Sequence, residues 1–374
     1  MSADLGPATG SNAAAGCDGI LLGRSLTARV TEMGFGALSR AAEIDDGIPV
    51  IDTSEGHCLT IAPTGAGKGR NVIIPTLLTY RGSAVVIDPK GENARVTARH
   101  RVAMGQRVVI VDPFRILTAF PAQFGQSLTG SVNPLDCLDA DSSDYESECV
   151  AMANLLVGSL VGIEPFWHGN AVQLLAPIIA YICRYTPSDQ RTLAGLVSYL
   201  SDTDLRYKMA VALDTIVAST DRFVVDGFAY YLGHEPDKVA SSVRSTAMQR
   251  MAPFCGSQVA AATASTSFET QDFIEGKPMT IYLVIPPHKL DAYGPLLALL
   301  VSFFLNLIVR RTSAPPLPTL FVLDELAQLG AFPLLRPLVT LMRGYGVRTM
   351  MFLQDASQLR SMFPSDHATI INNC

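Results

Sequence analysis

Six short apolar runs recur along the chain: CLTIA at 58–62, AVVID at 84–88, RVVIVD at 107–112, MTIYLVI at 279–285, TLFVLDE at 319–325 and VRTMMFLQ at 347–354. None alternates polar with apolar residues. A strand with one wet face reads as an alternation, so an unbroken apolar strand needs cover on both faces, as in the centre of a parallel sheet. Helix-length segments separate most of the runs, which gives the β-α-β rhythm of an α/β domain. Charged residues are only 17% of the chain against 48% hydrophobic. That balance points to a heavily buried sheet, an oligomer interface or a nearby membrane.

The rhythm breaks between Asp112 and Met279. Ala171, Leu174, Leu175, Ile178 and Ile182 recur on one helical face, and DLRYKMAVALDTIV at 204–217 continues in kind. We expect an all-helical insertion domain over 140–274. It splits a nucleotide-binding α/β domain into parts at 19–139 and 275–374, behind a disordered lead-in over 1–18. The acidic run from Asp136 to Glu148 reads as a solvated helix start favoured by the helix dipole rather than as a metal site. The stretch from Ala292 to Val309 approaches the length of a membrane span. Ser302 and Asn306 inside it, and the strand before it, favour a buried helix begun near Pro295 and ended by Arg310 and Arg311.

A net charge of −6 argues against a general basic coat for nucleic acid, so any DNA contact is a local patch. Seven cysteines, odd in number and never spaced C-x-x-C, point to a reducing compartment without structural zinc. The first residues lack the basic start and apolar run of a signal peptide. HEPDK at His234 lacks the second histidine of a metalloprotease helix, and no G-x-S-x-G occurs. Trp167 reads as a packing aromatic, and solvation accounts for Arg222, Arg244 and Arg250 singly better than a DNA-facing surface does.

IAPTGAGKGR at 61–70 carries the chemistry. A phosphate-binding loop needs glycines that let consecutive N–H groups face the phosphates, a lysine for the outer phosphates, and a helix N-terminus behind. Thr64, Gly65, Ala66, Gly67, Lys68, Gly69 and Arg70 follow a strand and open a helical run to Leu78. Ala62 replaces the usual leading glycine, and Gly69 replaces the Ser or Thr that binds magnesium. Mg²⁺ keeps several waters readily, so Thr64, Asn71 or Asp324 can hold them in place of that hydroxyl. Far downstream TLFVLDELAQLG ends an apolar strand in Asp324 and Glu325. The first suits the metal, and the second suits activation of the attacking water. The cofactors expected are therefore ATP and Mg²⁺.

A series of collinear motifs then resembles the type IV secretion coupling proteins, the TraG-like conjugative DNA-transfer ATPases. They are GILLGR at 19–24, LTIAPTGAGKG, VIIPTLL, GSAVVIDPKGE, VNPLD, PFWHGNA, TIYLVIPP, LFVLDELAQLG and GYGVRTMMFLQDASQLR. In that family the loop commonly ends Gly-Lys-Gly. The resemblance implies a RecA-like P-loop NTPase with a mainly parallel sheet and an inserted all-α domain, assembled as a homo-hexamer with ATP sites between subunits. It implies a DNA-stimulated ATPase at the cytoplasmic face of the bacterial inner membrane, which takes a relaxase bound to single-stranded DNA, or effector proteins, to the type IV secretion channel proteins. By motif, Lys68 takes the outer phosphates, Asp324 the magnesium, Glu325 the water, Gln354 senses the γ-phosphate, and Arg343 is an arginine finger for a neighbour. Asp88, Lys90 and Glu92 of DPKGE fit either a part of the site or a charged strand-end turn. The family's two leading membrane helices do not precede Gly19, and its sheet continues past Cys374, so a separate anchor subunit, a soluble variant or a partial chain is expected. An ATP-binding adaptor with little turnover and a general DNA translocase are the alternative readings.

Overall fold

The computed structural model describes residues 17–25, 48–117, 128–158, 165–216, 221–233, 239–329 and 332–374. Residues 1–16 of the lead-in and His234 with the rest of HEPDK lie outside them. The described chain opens with an antiparallel ribbon, β1 (Ile20–Ser25) and β2 (Ile48–Asp52). The six apolar runs then become β3 (Cys58–Ile61), β4 (Ala84–Ile87), β5 (Arg107–Val111), β6 (Met279–Leu283), β7 (Thr319–Leu323) and β8 (Val347–Leu353). They form one sheet in the order β3-β8-β7-β4-β6-β5, with every neighbouring pair parallel.

Successive residues of a strand point to opposite faces, and here both faces are dry. Val86, Val108, Ile110, Tyr282, Leu320, Val322 and Phe352 pack on one side against Ile73 and Leu77 of the first crossover and Ala94 and Ala98 of the second. These come from α1 (Ile74–Thr79), its preceding turn, and α2 (Glu92–Ala103). Val85, Ile87, Val109, Ile281, Phe321, Leu323 and Leu353 face the other side. This double cover is why the strands carry no polar alternation.

Between β5 and β6 the described residues hold helices and no strand: α3 (Tyr145–Val157), α4 (Pro165–Tyr185), α5 (Leu193–Ser201), α6 (Leu205–Thr215), α7 (Arg222–Gly233), α8 (Val239–Met251), α9 (Ser257–Ala262) and α10 (Thr270–Ile274). The chain leaves and re-enters this segment side by side. Val132 N–H donates to Ala262 O and Ser267 N–H to Ser131 O, each at 3.0 Å. Asp136 belongs to this crossing, accepting from Asn133 and from Thr266 Oγ1 at 2.7 Å, while Glu146 and Glu148 sit in the first turn of α3. Trp167 packs against the apolar core, Arg244 donates to Leu200 O and Asp202 O, and Arg222 pairs with Asp226.

The long apolar stretch is α11 (Leu290–Val309), followed by α12 (Leu335–Thr340), α13 (Ala356–Met362) and α14 (His367–Asn372). It is a core helix, continuous in packing with the sheet and with α3. It starts earlier than expected, so Pro295 lies inside it rather than in its first turn. The carbonyl that proline leaves without a donor belongs to Asp291, an exposed residue, where water can serve it. By length and composition alone Pro165–Tyr185 and Pro287–Val309 are apolar enough to cross a membrane; 61% and 67% of their apolar windows are buried within this chain.

Candidate functional site

Strand pairing builds the site. Ile61 at the end of β3 pairs with Leu353 at the end of β8, and Ala62 N–H donates to Leu353 O at 3.0 Å. Gln354 therefore follows the strand end beside Ala62, two residues ahead of the phosphate-type loop at Thr64. β8 in turn pairs with β7, and β7 with β4, where Leu323 lies opposite Ile87. Asp324, Glu325 and the DPKGE turn follow along the same carboxyl edge, where open α/β sheets bind ligands.

The loop over Thr64 to Arg70 is mostly exposed. Gly65 and Gly67 have φ of 83° and 81°, the left-handed region that glycine enters without strain. A Cβ on Gly67 would also stand 2.6 Å from Asn71 Nδ2. Lys68 Nζ donates to the loop's own carbonyls, Ala62 O and, at 3.4 Å, Pro63 O. The helix behind begins as one wide turn over Gly69–Ile73 before α1. Pro75 has no N–H to return to Asn71, and Ile74 N–H reaches back to Gly69 O instead, which widens that turn. A side chain at Gly69 would meet nothing within 4 Å, so packing within this chain does not exclude one there.

At the strand ends the two acids are held by different partners. Asp324 Oδ2 accepts from Asn93 Nδ2 at 3.2 Å, and burial raises its pKa above the usual carboxylate range. Glu325 follows with φ 55°, a left-handed backbone that turns it away from the strand line, and its Oε1 accepts from Lys90 Nζ at 2.9 Å. The bond to Glu325 raises the Lys90 pKa. Asp88 is fully buried, accepts from Ala94 N–H at 2.8 Å and from Asn93 at 3.4 Å, and is pushed up to about 7 by burial, with the Asp324 charge adding to it. DPKGE is therefore packed against the acidic pair. Asn93, the residue after that motif and the second of α2, was missed in the sequence, since nothing local marks it as the partner of two acids.

Arg343 does not join the others. It lies in the turn Met342–Tyr345 before β8, and Nη2 donates to Glu55 Oε2 at 3.2 Å, ahead of β3. The seven residues of β8, roughly 20 Å at the usual rise, separate that end of the sheet from Gln354.

A glycine-rich loop ahead of a helical turn, a lysine and a strand-end carboxylate suit a polyphosphate with a hard divalent cation. The profile of the family described as type IV secretory system conjugative DNA transfer matches residues 28–374. The chain belongs to this family. Among relatives in the family, the conjugal transfer protein TraG of Agrobacterium fabrum is 27% identical over 320 residues, which cover 84% of this chain and 46% of TraG. The VirD4 protein of Rhizobium radiobacter is 28% identical over 314 residues, 82% of this chain and 43% of VirD4. The chain thus spans under half the length of these relatives. Among solved structures, the plasmid coupling protein TrwB in complex with a non-hydrolysable GTP analogue superposes with a TM-score of 0.61 at 18% identity, covering 85% of this chain and 68% of that one. TrwB with ADP and Mg²⁺ gives 0.52 at 16%, covering 85% and 72%. The family member described here has the RecA-like P-loop fold of those neighbours.

Proposed function

We propose that this chain is the motor part of a coupling protein that binds ATP with Mg²⁺, hydrolyses it, and uses the cycle to pass relaxase-bound single-stranded DNA or effector proteins to a type IV secretion channel. The observation that carries the reading is the alignment of the Thr64–Arg70 loop, Gln354 and the Asp324–Glu325 pair along adjacent strand ends. TrwB, which shares the fold, has been solved with ADP and Mg²⁺.

In this reading the amides of Gly65 to Gly69 and the Lys68 ammonium bind the phosphates, and Asp324, with Thr64 and water, would hold the metal. The metal supplies charge neutralisation at the phosphate oxygens. Glu325 takes a proton from water as the water oxygen bonds to the γ-phosphorus and the bond to the ADP oxygen breaks, releasing inorganic phosphate. Gln354 reports the γ-phosphate to β8. Arg343, remote from its own site, serves the site of a neighbouring subunit in a homo-hexamer. The helical segment over 140–274 acts as an inserted domain, and the assembly works at the cytoplasmic face of the inner membrane on an anchor.

The test is ATP turnover by the purified chain with and without single-stranded DNA, with Lys68→Ala as background. Turnover that rises with DNA and vanishes in the variant supports the motor. Nucleotide binding without turnover, with or without DNA, returns the reading to an adaptor.

A further inference from the structure

We infer that Lys90 is a positioning residue for hydrolysis, holding the Glu325 carboxylate through Oε1. The inference rests on the nucleotide-site reading above and assigns a role to a motif that the reading leaves unused.

Three observations carry it. Lys90 and Glu325 are 235 residues apart in sequence yet meet at 2.9 Å, because the β4–β7 register sets Ile87 opposite Leu323 and both chains turn just beyond. Glu325 is one of two described non-glycine residues with positive φ. Such a backbone costs of the order of 1 kcal/mol or more and persists where surrounding contacts over-determine it. Finally, the turn before α2 and the first turn of α2 hold one acid each: Lys90 on Glu325, and Asn93 on Asp324. Lys68 is engaged separately with the carbonyls of Ala62 and Pro63, so the two lysines occupy different places along the edge.

The pair has little to do for the fold. The Lys90 side chain is 51% exposed and that of Glu325 17%. A half-exposed ion pair contributes about 0–1 kcal/mol, so stability alone gives this lysine little role. Orientation gives it one, since a general base works only within hydrogen-bond reach of the proton it takes. A glutamate has three rotatable bonds, and an ammonium at one oxygen narrows where the carboxylate can point.

The experiment compares the parent with Lys90→Met, which keeps the stem and removes the charge, and Lys90→Arg. Four quantities are read: kcat and KM for ATP, affinity for Mg-ADP, affinity for the transition-state mimic Mg-ADP-tetrafluoroaluminate, and the unfolding midpoint. Lys90→Met is expected to lower kcat by about tenfold, less than loss of the base itself, and to weaken the mimic by a similar factor. KM and Mg-ADP affinity should stay within about twofold, the midpoint should hardly move, and Lys90→Arg should recover part of the loss. Unchanged kcat and unchanged mimic binding would make Lys90 a plain surface pair. A rise in kcat would make it a latch. An equal loss of Mg-ADP affinity would make it a phosphate ligand. Each of these overturns the positioning role alone. A parent that binds neither nucleotide nor mimic overturns the site reading as well, and binding by Lys68→Ala equal to the parent does the same.

Discussion

Asp88 and Asp324 are joined by a single amide: Asn93 Nδ2 lies 3.4 Å from one carboxylate and 3.2 Å from the other. A fully buried acid and a partly buried one so placed resist ionising together. Burial raises the Asp88 pKa from 3.8 to about 7. A folded-state pKa above the unfolded one adds stability at low pH, and that stability is lost as pH climbs toward the folded value. The parent should therefore lose stability between about pH 4 and pH 7, by an order of a few kcal/mol. Asp88→Asn should flatten that slope in denaturant unfolding at stepped pH. A variant with the parent's slope would place the titration elsewhere.

Glu325→Gln keeps the size of the side chain and removes the proton acceptor. Nucleotide affinity should persist while turnover falls by roughly 10²–10⁴-fold, the usual contribution of a general base. Single-turnover kinetics separate the two effects. Hydrolysis at the parent rate would remove Glu325 from the mechanism.

Arg343 is expected to act across a subunit boundary, since β8 holds it at the far end of its own sheet. Arg343→Ala should abolish most turnover, by about 10³-fold if it serves as a full arginine finger. Mixing it with Lys68→Ala subunits should restore part of the rate, because some interfaces then pair an intact Arg343 with an intact Lys68. Absence of rescue, with mixed assembly demonstrated by native mass spectrometry, would rule out the trans role. Glu55→Ala should leave stability nearly unchanged, because the Arg343–Glu55 pair is 58% and 79% exposed.

Arg311 ties the end of the helical segment to the sheet. Its guanidinium donates to Phe273 O at 3.1 Å, Ile274 O at 3.2 Å, Thr319 Oγ1 at 2.9 Å and Tyr345 O at 3.3 Å. Burial lowers its pKa to about 10, which leaves it charged near neutrality. Arg311→Met strands these acceptors, and a loss of about 3 kcal/mol is expected from the denaturant midpoint. A loss below about 0.5 kcal/mol would mean that water serves the carbonyls instead.

Much of the site was legible because its chemistry sits in short local strings. The glycines and lysine of TGAGKG do their work within one turn, so their spacing suffices. The acids after TLFVL were legible because an apolar strand must end at an edge of the sheet. Asn93 was not, since nothing local distinguishes a bridging asparagine from a solvated one on α2. The same holds for Lys90, whose partner lies on a strand paired with its own only through the sheet order.

The order of apolar runs and their lack of alternation determined by themselves that this chain builds a doubly covered parallel sheet, because burial on both faces leaves its mark on every residue of a strand. Strand order and the meeting of Glu325 with Lys90 were decided only in three dimensions. Those depend on pairings between segments hundreds of residues apart, and neither composition nor local spacing records which strand lies beside which.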